Sequence, residues 1–161
     1  MSFRVGTGYD IHALKKGGPL VLGGIRIPFP KGLAGHSDAD ALLHAITDAI
    51  LGAAALPDIG HYFPPSDPSF KGIASSVMLA KAVQEAKRLG FRISNVDSVV
   101  MAEAPKIGPY REAMRTVIAR LLQIPTTDVQ IKGKTNEGFG EIGKGHAIAA
   151  YAVVLLIEDR K

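Results

Sequence analysis

Hydrophobic residues along this chain fall into short extended runs separated by three helix-like stretches. An apolar, strand-like segment covers Phe3 to Tyr9. Leu20-Val21-Leu22 and Ile25-Arg26-Ile27 flank Gly23-Gly24, whose tolerance of positive φ suits the tight turn of a β-hairpin. Ser37 and Asp40 have capping-box spacing, with Asp in place of the usual Glu, so a helix is expected to start there. It runs through Ala41 to Ile46 and ends by Leu56-Pro57. Pro57 to Pro68 is proline-rich and reads as an irregular loop, a kind of segment that is often functional. A second helix spans Ser75 to Leu89, with Gly90 where a left-handed cap belongs. Phe91 to Ala102 reads as a strand carrying β-branched Val96, Val99 and Val100. Pro109 to Leu122 shows a helical stripe of Met114, Val117, Ile118, Leu121 and Leu122. Val129 to Lys132 is a short strand, Gly133 to Gly145 a glycine-rich loop, and His146 to Ile157 the last and most apolar strand.

That order implies an α/β chain of the α+β sandwich type, a mixed sheet with helices packed on one face and a small N-terminal hairpin beside it. No repeat, low-complexity tract or linker interrupts it, so residues 1–161 read as a single domain. The last strand is apolar on both of its faces. A one-layer sheet with an apolar outer face usually associates, so a homo-oligomer is expected.

Composition narrows the function. The chain has 161 residues, 47% of them hydrophobic and 21% charged, which are globular values. It contains no cysteine, so a metal site must use His, Asp and Glu; this suits a reducing cytoplasm. The formal charge of +4 is scattered and aromatics make up only 6%, against a nucleic-acid face and in favour of small anionic ligands. No apolar run approaches a membrane span, and the N-terminus enters a strand pattern without a secretory h-region. A cytoplasmic protein is expected, or a plastid one after removal of a transit peptide.

The chemistry concentrates in two places. Side chains alternate along a strand, so Asp10 and His12 project the same way. His44, about two turns into a helix, can meet them as the third arm of a tripod. Two imidazoles and a carboxylate make an open zinc site with a fourth position free for a substrate oxygen. Each alone would pass as an ordinary polar residue near an element's end; together, without cysteine, they point to metal. Asp40 and Asp48 flank His44 at four-residue spacing, and either could accept a hydrogen bond from its other nitrogen, Asp48 being the better placed. His36 and Ser37 sit at the expected helix start, where an anion is favoured, although Ser37 also reads as a plain cap. Lys132 to Gly140 combines cations, small donors and flexible backbone, a phosphate cradle without the P-loop pattern. Glu137 within it is a hard oxygen ligand suited to magnesium or manganese, or else a solvated loop carboxylate. No protein nucleophile suggests itself, so the substrate would supply its own.

Gly8-Tyr9-Asp10-Ile11-His12, His36-Ser37-Asp38-Ala39-Asp40 through His44, Asp58-Ile59-Gly60, Phe63-Pro64-Pro65-Ser66-Asp67, Ala104-Pro105-Lys106 and Thr135-Asn136-Glu137 occur together in order. In these segments, over essentially its whole length, the chain resembles the 2-C-methyl-D-erythritol 2,4-cyclodiphosphate synthase family of the non-mevalonate isoprenoid pathway. The resemblance implies an intramolecular cyclisation in which the 2-phosphate of a diphosphocytidyl methylerythritol attacks the β-phosphorus and CMP leaves. It makes Asp10, His12 and His44 zinc ligands and Glu137 the holder of magnesium or manganese. His36 and Thr135 match transition-state stabilisers, and Ser37 a phosphate contact. Asp58, Ile59 and Gly60, with Phe63, Pro64, Pro65, Ser66 and Asp67, match the loop around the methylerythritol. Ala102, Pro105, Lys106, Ile107 and Gly108 match a cytidine pocket, Lys134 and Asn136 match further substrate contacts, and Lys144 stands at the place of another. It also implies a homotrimer with sites between subunits, the outer sheet face lying in the interface. The chain departs from the family where an aromatic, an arginine and a glutamate are usual, having Glu141, Lys144 and His146 instead. Lysine lacks bidentate phosphate geometry and Glu141 repels anions, so weak or absent binding of isoprenoid diphosphates on the trimer axis is expected. Two other readings fit the same residues, a zinc phosphoesterase and a non-catalytic nucleotide-binding trimer with structural zinc. The second would need a fourth protein ligand.

Overall fold

The computed structural model describes residues 2–159. Among the described residues, seven strands and five α-helices follow in chain order. Strand β1 (Phe3–Lys16), β2 (Leu20–Leu22), β3 (Ile25–Ile27) and β4 (Lys31–Leu33) precede helix α1 (Ala41–Ala53). Then come α2 (Ile59–Tyr62), α3 (Ser75–Arg88), β5 (Phe91–Met101), α4 (Arg111–Leu122), β6 (Val129–Lys134), α5 (Gly140–Gly143) and β7 (Ala147–Glu158). One sheet has the order β4-β1-β7-β5-β6, and β2 with β3 forms a separate hairpin. Only β5 and β6 run parallel, so the five-stranded sheet is mixed, as its sequence implied.

The helices α1, α3 and α4 cover one face of that sheet. Alternation in β7 explains why: Ile148, Ala150, Ala152, Val154 and Leu156 are all fully buried beneath them. Helix α1 lies unusually close to β1. A β-carbon on Gly8 would stand 1.9 Å from the Ala45 carbonyl oxygen, and one on Gly6 1.9 Å from that of Ala49. Glycine at these positions is therefore a packing requirement, and it sets His44 above the middle of β1, within 2.9 Å of Asp10.

The other face is apolar and open. Phe3, Val5, Tyr9, Ile11 and Tyr151 are exposed along it. Only its end is covered, where Ile142 of α5 packs on Ala147, Ala149 and Met101.

Several boundaries differ from the sequence reading. Strand β1 continues past Tyr9 to Lys16, because it pairs with β7 as far as Ala13 and then with β4. Asp10 and His12 thus lie inside the strand. Helix α1 begins at Ala41, not at Ser37. Asp40 is its cap, accepting from Leu43 N at 3.0 Å, and Ser37 Oγ accepts instead from Ala39 N at 3.0 Å. The proline-rich loop contains α2, capped by Asp58, and a 3-10 turn at Pro68–Phe70. The glycine-rich loop is shortened by the extension of β6 to Lys134 and by α5.

Candidate metal centre

Asp10 and His12 share the helix-facing side of β1, and the first turn of α1 carries His44 down to meet them. Asp10 Oδ2 lies 2.9 Å from His12 Nε2 and 2.9 Å from His44 Nδ1, and the two nitrogens are 3.2 Å apart. A tetrahedral cation with bonds of about 2.0–2.1 Å places its ligand atoms about 3.3 Å apart. The three donors need to open by only a few tenths of an ångström to fit one. His12 Nδ1 is 2.8 Å from the Ala34 carbonyl oxygen, which can only accept. A neutral His12 ring therefore carries its proton on Nδ1 and turns its Nε2 lone pair toward the other two ligands, whereas a second proton on Nε2 donates to Asp10. Burial works against a charged carboxylate at Asp10, but hydrogen bonds and charge from both imidazoles outweigh it and hold the group well below the usual carboxylate range. The residues fit a divalent zinc-type cation, with two imidazoles, one carboxylate and no fourth protein ligand within the cluster among the described residues.

The partner of the second His44 nitrogen is not either of the expected carboxylates. Asp40 is spent on backbone, accepting from Gly23 N at 2.9 Å and Gly24 N at 2.7 Å besides its own cap. Asp48 turns to Ile59 N at 2.8 Å and so ties α2 to α1. His44 Nε2 instead meets Ser75 Oγ at 2.8 Å and Ser37 Oγ at 3.2 Å.

A cavity of about 410 Å³ opens beside the metal ligands. His12, His36, Ser37, His44, Ile59, Gly60, Phe63, Pro65, Ser66 and Asp67 line it, together with Pro68, Phe70, Lys71 and Met78, which the sequence did not single out. Phe63 and Phe70 meet edge to face, with centroids 5.3 Å apart, and stiffen its wall. Asp58 and Pro64 stand next to the lining residues, Asp58 accepting from His61 N at 3.1 Å. His36 and Ser37 do not lie at the helix terminus where an anion site was expected. The first turn of α1 is buried and capped by Asp40, so any anion contact comes from their side chains and the surrounding loop.

The second group of residues is gathered elsewhere. Ala102 N donates to Lys134 O at 2.9 Å and Asn136 N to Glu103 Oε2 at 3.2 Å, which joins the ends of the parallel strands β5 and β6. Buried Ile107 packs against Gly133, and Pro105 follows a cis peptide. Lys106, Gly108, Lys134, Thr135 and Glu137 are exposed around this point. Thr135 Oγ1 donates to Glu137 Oε1 at 2.7 Å. In register, Asp10 pairs with Ala150, Ala150 with Val100, and Val100 with Gly133. Three strand spacings, roughly 14 Å, thus separate Asp10 from the start of this group. Within one chain neither Glu137 nor Thr135 reaches the metal ligands' cavity. Lys144 stands apart from both groups, paired with Glu141 at 3.0 Å, and His146 Nδ1 lies 2.9 Å from the same carboxylate.

Known proteins are similar to this chain over nearly its whole length. The model of the YgbB family matches residues 3–157. The 2-C-methyl-D-erythritol 2,4-cyclodiphosphate synthase of Synechococcus sp. (strain JA-2-3B'a(2-13)) is 56% identical over 155 residues, 96% of this chain and 99% of the relative. Among solved structures, the bifunctional IspDF from Campylobacter jejuni aligns with a TM-score of 0.94 at 38% identity, over 98% of this chain and 42% of that longer one. IspF of Plasmodium falciparum, solved as a CDP complex, aligns with a TM-score of 0.87 at 37% identity, over 98% and 97% of the two chains. With agreement running from the first strand to the last, the chain belongs to the YgbB family, that of the 2-C-methyl-D-erythritol 2,4-cyclodiphosphate synthases.

Proposed function

We propose that this chain, as one domain over residues 1–161, is a zinc-dependent phosphorus–oxygen lyase. It cyclises 4-diphosphocytidyl-2-C-methyl-D-erythritol 2-phosphate to 2-C-methyl-D-erythritol 2,4-cyclodiphosphate and releases CMP. The observation that carries this reading is the convergence of Asp10 Oδ2, His12 Nε2 and His44 Nδ1 with mutual distances of 2.9–3.2 Å, at the edge of a cavity sized for a small phosphorylated sugar. Zinc held there would withdraw charge from a phosphate oxygen as a Lewis acid.

The chain's own groups do the rest by positioning. An oxygen of the 2-phosphate forms a bond to the β-phosphorus while the bond from that phosphorus to the bridging oxygen breaks, and CMP carries that oxygen away. Such a transfer needs alignment and charge neutralisation more than a protein nucleophile. His36 and Ser37 flank the metal ligands and face the phosphates. Ile59, Gly60 and the Phe63 to Asp67 wall, with Asp58, hold the methylerythritol. The Ala102 to Gly108 and Lys134 to Glu137 segments hold the cytidine diphosphate, Thr135 beside its phosphates and Glu137 offering an oxygen to magnesium or manganese. Solved relatives complexed with CDP support the cytidine assignment.

Because the two groups lie far apart in one chain, a complete site needs the cytidine segment of a neighbour against the metal ligands. The exposed apolar sheet face supports a homotrimer that would bring them together. The Glu141 carboxylate, already engaged by Lys144 and His146, supports weak or absent isoprenoid-diphosphate binding on the trimer axis. No helix of the described residues is long and apolar enough to cross a membrane.

Metal analysis of purified protein, with phosphorus NMR of the product mixture, tests the reading. One zinc per chain, and a cyclic diphosphate appearing with CMP, is the expected result. An open-chain phosphate would mean water attack and a phosphoesterase. His44→Ala should abolish both zinc binding and CMP release with the fold kept; retention of either would refute the site.

A further inference from the structure

Ser75 is fully buried at the first position of α3, yet its hydroxyl points across to α1 rather than capping its own helix. The residue at the cap position, Ala74, has no side chain to bond the helix end. That work is done by Asp38, from the loop before α1, whose Oδ2 accepts from Ser75 N at 3.1 Å. Its Oδ1 accepts from Asp40 N at 3.3 Å and also from Ser75 Oγ. The same Ser75 Oγ lies 2.8 Å from His44 Nε2.

A hydroxyl has one proton to give and two lone pairs, whereas an ionised carboxylate only accepts. Once the Ser75 proton is committed to Asp38, Ser75 Oγ can only accept from His44. A neutral His44 ring bonded this way carries its proton on Nε2, which leaves the Nδ1 lone pair for a cation; Asp10 Oδ2, 2.9 Å from Nδ1, is the competing acceptor that the relay must outweigh. Ser37 Oγ, more distant at 3.2 Å, can accept from the same Nε2–H or turn its proton toward the cavity. It follows the arrangement and does not set it. His12 gains its orientation from one carbonyl, while His44 gains it from a two-residue relay spanning two helices.

We propose that Asp38 and Ser75 are positioning residues that select the metal-binding tautomer of His44. The proposal rests on the reading of Asp10, His12 and His44 as a zinc site. Neither residue lines the cavity beside the cluster, and a side chain at residue 74 could cap α3 in place of Asp38.

Replacing Asp38 by Asn discriminates this role from mere support. The amide oxygen stays on Ser75 N at 3.1 Å, the shorter of the two backbone bonds, and the NH₂ takes the other position at the cost of the 3.3 Å bond from Asp40 N. The amide NH₂ then faces Ser75 Oγ and donates to it. The Ser75 proton swings toward His44 Nε2, which favours the proton on Nδ1, where it blocks the cation. Ser75→Ala only deletes the acceptor and leaves both tautomers open, with Ser37 as a substitute partner.

Zinc affinity measured by competition with a chromogenic chelator should fall about 10–100-fold in Asp38→Asn, the range for lost outer partners of metal-bound histidine. It should fall less in Ser75→Ala. The double variant should bind as Ser75→Ala does, better than Asp38→Asn alone, because without the hydroxyl the amide has nothing to invert. A role in packing or capping alone predicts a double variant at least as weak as Asp38→Asn, and that result overturns the proposal. If Asp38→Asn fails to fold by circular dichroism, Ser75→Ala still decides, since unchanged zinc affinity in it refutes the relay. A wild-type chain that takes up no zinc refutes the metal reading itself, whereas normal uptake with additive losses refutes the relay alone.

Discussion

Gly8 offers the sharpest test of how the fold builds its metal centre. It faces α1 two residues before Asp10, and a β-carbon there would lie 1.9 Å from Ala45 O, 2.8 Å from Ala45 C and 2.9 Å from Ala49 N. All three are backbone atoms, so no side chain can swing aside. To reach ordinary contact the helix must retreat by about 1.5 Å. Overpacked cores lose roughly 1–3 kcal/mol when side chains can yield. With backbone as the obstacle, Gly8→Ala belongs at about 3 kcal/mol, or a melting point roughly 6–12 °C lower for a chain of this size. The effect should not stop at stability. His44 immediately precedes Ala45, and it would move away from Asp10 with the helix. A 2.9 Å separation between His44 Nδ1 and Asp10 Oδ2 would open beyond the spacing of about 3.3 Å that one cation can bridge.

The expected outcome is a zinc dissociation constant raised by about 100-fold or more, since a ligand is displaced and not merely its supporting partner. Chelator competition gives the affinity and thermal unfolding the stability. Gly52→Ala, on the same helix, is the control. Its β-carbon would meet only Thr7 O at 3.9 Å, so the better helix propensity of alanine should stabilise by up to about 1 kcal/mol. A Gly8→Ala protein that melts within about 2 °C of wild type and binds zinc normally would refute the claim that this close approach sets the ligand geometry.

Three further outcomes follow from the same structure. Asp40→Ala strips the acceptor from Gly23 N, Gly24 N and Leu43 N in a fully buried position and should cost about 3 kcal/mol or more in urea unfolding. A loss under about 1 kcal/mol would show that the hairpin turn is not held by this carboxylate. At His12, burial disfavours the charged ring, but the hydrogen bond and charge of Asp10 outweigh it and raise its proton affinity above the ordinary 6.5. That proton stabilises the metal-free fold below 6.5, and the stabilisation is lost as pH rises through the raised value. Asp10 behaves oppositely, contributing above its ordinary 3.8 and losing its contribution as pH falls toward its lowered value. A cation must displace the His12 proton, so calorimetry in two buffers should find more protons released per zinc near pH 6 than near pH 9, and equal release would contradict the assignment. Finally, Val5 is 66% exposed on the outer sheet face. Val5→Asp should leave the chain folded but monomeric by light scattering and without CMP release, and a persistent trimer would show that this face is not the interface.

What could be read in advance, and what could not, divides by distance along the chain. Asp10 and His12 are related by the two-residue period of a strand, and the hairpin by Gly23-Gly24. Both are local and survived intact. The extension of β1 to Lys16 was invisible, because Ala13, Lys15 and Lys16 look like loop residues until β7 and β4 supply partners. The orientation of His44 failed for the same reason. Four-residue spacing nominated Asp40 and Asp48, but Asp40 precedes the first turn and bonds the hairpin, and Asp48 bonds Ile59. The actual partner stands 31 residues away in a stretch, Ala74-Ser75-Ser76, that reads as a plain helix start. No periodicity connects α1 to α3; only their packing does. The metal ligands themselves come from β1 and α1, while the tautomer of one of them depends on how a third element docks. Metal affinity in this chain is therefore coupled to the packing of α3 on α1. Leu79→Ala, a core substitution on α3 one turn after Ser75 that leaves β1 and α1 untouched, should weaken zinc binding along with the fold.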